Sequence, residues 1–217
     1  MRWTLKTEWL SLLLVGASVA LAAYYWPQLP DQIPTHWGPT GAPDQWASKT
    51  TGAFIGPLMG VFFYVLVSAL PWLDPRGRHV AQSHGILEVI KNTLCAFALF
   101  MTYLTLSASV SPGQHLPIAG LMIGLGLLFV VIGNYLPKVR SNFFIGIRTP
   151  WTLSNEEVWY QTHRLGGKLM VVAGILVILS AWLPQPQQLA VLLGAIGFSS
   201  LYPILFSYRL YKRLATK

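Results

Sequence analysis

Six runs of apolar residues, at about 7–26, 53–73, 86–108, 117–136, 165–183 and 188–207, alternate with polar connections of unequal length. Each run is long enough to cross a bilayer core of about 30 Å, which takes roughly 20 helical residues. The runs are continuous and lack the apolar–polar alternation of barrel strands, so their backbone groups must be satisfied within helices. Pro27, Pro71, Pro137 and Pro184 follow or close apolar runs, as prolines do at helix exits. The pattern predicts an all-α integral membrane protein. It is a bundle of about six transmembrane helices, forming a single membrane domain over residues 1–217.

The first run admits two readings. Arg2 and Lys6 ahead of an apolar stretch ending near Ala20-Leu21-Ala22 resemble a signal peptide. The stretch continues through Tyr24, Tyr25 and Trp26, however, an interfacial aromatic end that favours a retained first helix.

Composition agrees with the pattern. Of the 217 residues 53% are hydrophobic and only 10% charged, where soluble domains carry about 25% charged residues. A soluble, disordered or collagen-like chain is excluded. The lone cysteine, Cys95, lies inside an apolar run and leaves no basis for a disulfide framework or a cysteine zinc site.

The net charge of +8 is informative through its placement. Every one of the 15 lysines and arginines except Lys49 falls before the first helix, in the second or fourth connection or at its flanks, or in the tail. The positive-inside rule then puts both termini in the cytoplasm, with residues 27–52 forming a long outer loop and residues 137–164 a long inner one. Topology and anionic headgroups account for the basic residues, and direct nucleic-acid binding is not implied. The two long loops stand in corresponding places of two three-helix halves, an arrangement compatible with a 3+3 inverted repeat.

The outer loop carries four prolines, Pro30, Pro34, Pro39 and Pro43, together with Gly38 and Gly41. These favour a rigid, non-helical lid. Asp31, His36, Trp37, Asp44 and Trp46 on it are candidates for receiving a ligand, although tryptophans at headgroup depth also suit a simple interfacial cap. The spacing of Asp31, His36 and Asp44 matches no established metal-ligand pattern, and neither metal nor cofactor is expected.

In the inner loop, Ser154 followed by Glu157 reads as a capping box for a short amphipathic helix from about Asn155 to Leu165. Candidate partner- or ligand-binding residues are Asn142, Arg148, Trp151, Glu157, Trp159, His163 and Arg164. The plainer alternative is an interface helix pairing its own charges and anchored by Trp159. Elsewhere, His79 and His84 suit a solvated turn, and Glu88 and Lys91 are spaced to neutralise one another.

Gly133-Asn134, Pro137-Lys138, Asn142, Phe144, the run Gly146 to Leu153, Glu157, Trp159 and Thr162-His163-Arg164 resemble the SdpI family of bacterial multipass membrane proteins. Leu29-Pro30, Ile33-Pro34, His36-Trp37, Gly41, Pro43-Asp44 and Lys49 resemble the short domain of unknown function that often precedes it. The resemblance implies residence in the bacterial cytoplasmic membrane and, as in the founding member, immunity to a secreted peptide toxin. It also implies signalling through a cytoplasmic repressor held at the membrane. No catalytic residue is assigned. The rival reading is a membrane enzyme or small transporter acting on an anionic or lipid-like ligand at the cytoplasmic surface. Asn142, Arg148, Trp151, Glu157 and His163 would then converge on one pocket.

Overall fold

The computed structural model describes residues 5–216, without the side chains of Leu5, Lys6 and Arg78. Arg2 and Lys217, used above for orientation, lie outside the described residues. The helices are α1 (Leu5–Tyr25), α2 (Lys49–Leu73), α3 (Gly77–Gln82), α4 (His84–Val110), α5 (Ile118–Tyr135), α6 (Pro150–Ser154), α7 (Glu156–Ser180) and α8 (Gln185–Ala215). Six of them, all but the short α3 and α6, are long and apolar enough to cross a membrane. The chain is an all-α multipass membrane protein, and its strands β1 (Gln32–Trp37) and β2 (Pro43–Ser48) form one small antiparallel hairpin outside the spans.

Helices α1, α2 and α4 pack on one another, α7 packs on both α5 and α8, and α4 against α5 joins the two groups. The halves share their connectivity but pack differently. α1 lies along both α2 and α4, whereas α5 and α8 meet mainly through α7.

In lipid the hydrophobic effect does not drive helices together, so close backbone approach must supply the contact. Along α5 and α7 two glycine pairs do this. A Cβ on Gly126 would lie 2.5 Å from the Gly174 carbonyl oxygen, and one on Gly133 would lie 2.9 Å from that of Gly167. Both helices repeat glycine at a seven-residue interval, which keeps the pairs on one seam of two antiparallel helices.

The inner region departs from the expected layout. Residues 156–164 are the first turns of α7, which runs unbroken into the membrane in place of a separate amphipathic helix. Gly166 and Gly167 sit inside this helix and let α7 approach Ile147 and Pro137 closely. Asn155 caps α7, its Oδ1 accepting from the N–H groups of Glu157 at 2.9 Å and Val158 at 3.0 Å. Ser154 instead ends α6, and the capping box belongs to Thr149 and Thr152 at the start of that helix.

Charge pairing also differs. Glu88 lies 3.1 Å from His84, while Lys91 pairs with Glu8 of α1, both almost fully buried. A buried charge needs a partner, and an interhelical one fixes α1 against α4.

Candidate functional site

At one end of the bundle the hairpin folds over the helix ends. Ile33 is fully buried among Ala22, Leu29, Ala53 and Leu106, and Gly52 makes room for it, since a Cβ there would lie 2.5 Å from that of Ile33. The turn uses Gly41 at φ +74°, a conformation that suits glycine. Its carbonyl accepts from the Leu116 N–H at 2.9 Å. Trp37 donates through Nε1 to the Gln114 carbonyl at 2.9 Å, and Trp46 to Gln114 Oε1 at 3.3 Å. Four prolines and these three bonds to the α4–α5 connection make the lid rigid.

Beneath it lies a cavity of about 610 Å³, walled by α2, α4, α5 and α8 and roofed by the hairpin. The lining is largely apolar, with Gly56 and Met59 of α2, Phe97 and Met101 of α4, Leu121 of α5 and Leu189 of α8 facing the space. His36 and Asp44 stand at its rim, with Nδ1 and Oδ1 2.6 Å apart and both side chains about half exposed. The ladder is irregular between Pro34 and Trp37. Such a bulge re-aims side chains, and His36 and Trp37, which a regular strand turns to opposite faces, both contribute to the cavity.

Of the outer-loop candidates, then, His36, Trp37 and Asp44 come together. Trp46 braces the lid from its exposed side, and Asp31 lies at the hairpin's base, where its carbonyl accepts from the Lys49 N–H at 2.8 Å. Lys49 itself lies over the Trp26 ring at 4.9 Å. Among the described residues no three His, Cys, Asp or Glu side chains are grouped to hold a metal ion. Apolar walls with two facing ionisable groups at the mouth suit an amphipathic ligand.

Sequence reasoning missed the cavity wall. Gly52, Gly56 and Gly60, spaced by four on α2, were the available signal: small residues at that spacing mark a face where something approaches closely.

At the opposite, basic end, residues 139–155 wrap against the α2–α4 connection. Asp74 accepts from the N–H groups of Arg76 at 2.6 Å and Phe143 at 2.7 Å. Arg76 donates to Ser141 and, at 2.8 Å, to the Leu153 carbonyl, and its guanidinium lies 5.1 Å from the Phe143 ring centre. His79 Nδ1 is 3.2 Å from the Ser141 carbonyl, so this connection is braced and not merely solvated.

The inner candidates separate into two groups. Buried Asn142 accepts from Phe144 and Ile145 N–H groups at 2.9 and 2.7 Å, and donates to the Arg140 and Ile145 carbonyls. His163 is fully buried; its Nε2 accepts from the Ile147 N–H at 2.9 Å, and Nδ1 faces the Trp159 carbonyl at 2.7 Å. A backbone N–H can only donate, so Nε2 presents its lone pair and the proton sits on Nδ1. Trp159 stacks on this ring at 3.9 Å and donates to the Val139 carbonyl at 2.9 Å. Half-buried Trp151 donates to Ser207 at 2.5 Å and meets Tyr208 edge-on.

Arg148, Glu157 and Arg164 remain exposed. Arg148 donates to the Phe143 carbonyl at 2.6 Å rather than to Glu157, whose carboxylate is taken by Gln161. Glu157 and Arg164 line a shallow cavity of about 320 Å³ with Tyr160, Lys168 and Phe206. Asn142, Arg148, Trp151, Glu157 and His163 thus each engage a separate set of partners instead of converging.

A six-helix multipass protein of the cell membrane, with a hairpin lid at one end and a braced basic loop at the other, is the class this arrangement defines. Residues 138–207 match the SdpI/YfhL protein family, and residues 13–61 match a domain of unknown function, DUF1648. The chain is also 23% identical over 210 residues to "Immunity protein SdpI" of Bacillus subtilis (strain 168), covering 97% of this chain and 98% of that protein. The chain is thus similar to the SdpI/YfhL family over residues 138–207 and to that immunity protein over nearly its whole length. No solved structure matches it.

Proposed function

We propose that this chain is a membrane immunity protein whose hairpin-capped cavity receives a secreted, toxin-like peptide. The carrying observation is the rigid lid over an apolar cavity with His36 and Asp44 at its rim. Apolar side chains of a peptide would leave water for the cavity, and a basic or hydrogen-bonding group would meet the Asp44 carboxylate. The whole-length similarity to an immunity protein supports the same reading.

Recruitment of a cytoplasmic regulator belongs to the opposite end. Phe143, Phe144 and Arg148 are exposed on a loop held by Asn142 and Arg76, and aromatic residues with arginine are the residue types that anchor protein interfaces. Signalling requires that peptide-bound and free states differ in affinity for that partner. The enzyme or transporter reading loses support, because Asn142 and His163 are engaged by backbone groups and offer no free atom for chemistry.

The test is protection of sensitive cells from the toxin against which the Bacillus subtilis immunity protein protects. Wild-type chain should protect. The double variant His36→Ala with Asp44→Ala, or Met101→Trp filling the cavity, should lower the tolerated dose by about tenfold, equivalent to roughly 1.4 kcal/mol of binding. Full protection by both variants at unchanged abundance would remove the cavity from the mechanism.

A further inference from the structure

The walls of the hairpin-capped cavity are not closed on all sides. α2 and α8 do not pack along one another, and α8 touches the rest of the bundle mainly through α7. Ile55 and Met59 of α2 and Leu189 and Leu192 of α8, which flank this gap, all line the cavity while remaining partly exposed. They belong to spanning helices, so the gap faces hydrocarbon and not water.

Depth follows from helix geometry. On α4 the lining extends from Leu106 to Phe97, a rise of about 13 Å at roughly 1.5 Å per residue. Half of a bilayer core is about 15 Å thick. The cavity therefore spans nearly one leaflet, with its polar rim at the hairpin and its apolar floor near the midplane.

From this we propose that the cavity is a lateral lipid site. An acyl chain of a lipid in the hairpin-side leaflet enters between α2 and α8, and the lipid's head group lies at His36 and Asp44. Water is a poor occupant, because apolar walls give it few hydrogen-bond partners. A chain already dissolved in the bilayer reaches the gap without crossing water, and an ammonium or hydroxyl of its head group can donate to Asp44. The site is the one assigned above to a peptide, but lipid occupancy does not depend on that assignment; where both hold, the peptide enters by displacing the lipid chain.

The test uses the full chain with Cys95→Ala and Leu121→Cys, a small fluorophore being attached to the introduced thiol, in phosphatidylethanolamine–phosphatidylglycerol vesicles with plain or brominated acyl chains. Leu193→Cys, on the exposed face of α8, serves as the lipid-facing reference. Brominated chains should quench the label in the cavity comparably to the reference, aqueous iodide should quench it little, and adding Met101→Trp should reduce the bromolipid quenching several-fold. Quenching by iodide alone would mean that the cavity opens to water, and no quenching by either would mean that it is closed; both outcomes overturn the proposal. Should the labelled variant fail to insert, native mass spectrometry of the unlabelled chain decides. Retained phospholipid lost on Met101→Trp supports the site, and retention unchanged by that substitution refutes it. Toxin protection is not read in either arm, so failure here is distinct from failure of the peptide reading.

Discussion

The N–H of Ile147 donates to Nε2 of His163 at 2.9 Å, across sixteen positions of sequence. Gly146, just before Ile147, lies against the same imidazole at φ +110°, and a Cβ there would collide with it. The ring is thus a clamp that holds the basic-end loop to α7.

Removing the clamp has a calculable cost. His163→Ala leaves the Ile147 N–H without its acceptor, worth about 1–3 kcal/mol, and Gly146→Ala adds backbone strain of order 1–3 kcal/mol. Each should lower the thermal unfolding temperature in detergent and expose residues 139–155 to protease. Unchanged melting with lost protection would instead give His163 a direct functional role.

Lys91 and Glu8 provide a second stability prediction. Lys91→Met leaves a carboxylate buried beside α4, and breaking one partner of a buried pair costs about 3–5 kcal/mol. Combining it with Glu8→Leu should restore most of the loss, because two apolar side chains need no partner in lipid. Thermal melts of both singles and the double, compared at equal detergent, check this; additive losses would show that the two residues do not interact.

Orientation is open to chemical labelling. With Cys95→Ala as background, Gln45→Cys on the exposed face of β2 should react with an impermeant thiol reagent from outside the cell. Ser154→Cys, at the end of α6, should react only after the membrane is opened. Reversed reactivity would invert the topology inferred from the basic residues.

The spans were legible because lipid imposes one demand on every residue of a crossing helix, and a run of apolar residues meets it visibly. The hairpin was not legible as strands. Pro34 and Pro43 are poor ladder residues, and the two strands are held to the bundle by partners far along the chain, Gln114 and Leu116. His36 and Asp44 were visible as chemistry, but Met59, Met101 and Leu121 look the same whether they face lipid or line a cavity. Asn142 and His163 looked like ligand-binding groups because a sequence displays side chains and hides the backbone donors and acceptors that lack a partner. In the fold both residues are occupied by those backbone groups.

By itself, the sequence determined that this protein crosses the membrane six times, that its basic residues gather at one end, and that two of its connections are long and carry ionisable and aromatic side chains together. Burial of apolar surface is non-directional and accumulates residue by residue, so it can be read from local runs and charge placement. Tertiary structure decided that the outer loop closes a cavity, that Lys91 seeks Glu8 instead of Glu88, and that the inner motif mostly holds itself together. Those outcomes rest on hydrogen bonds, ion pairs and close glycine contacts, which act only at fitted distance and angle and so exist only once distant segments meet.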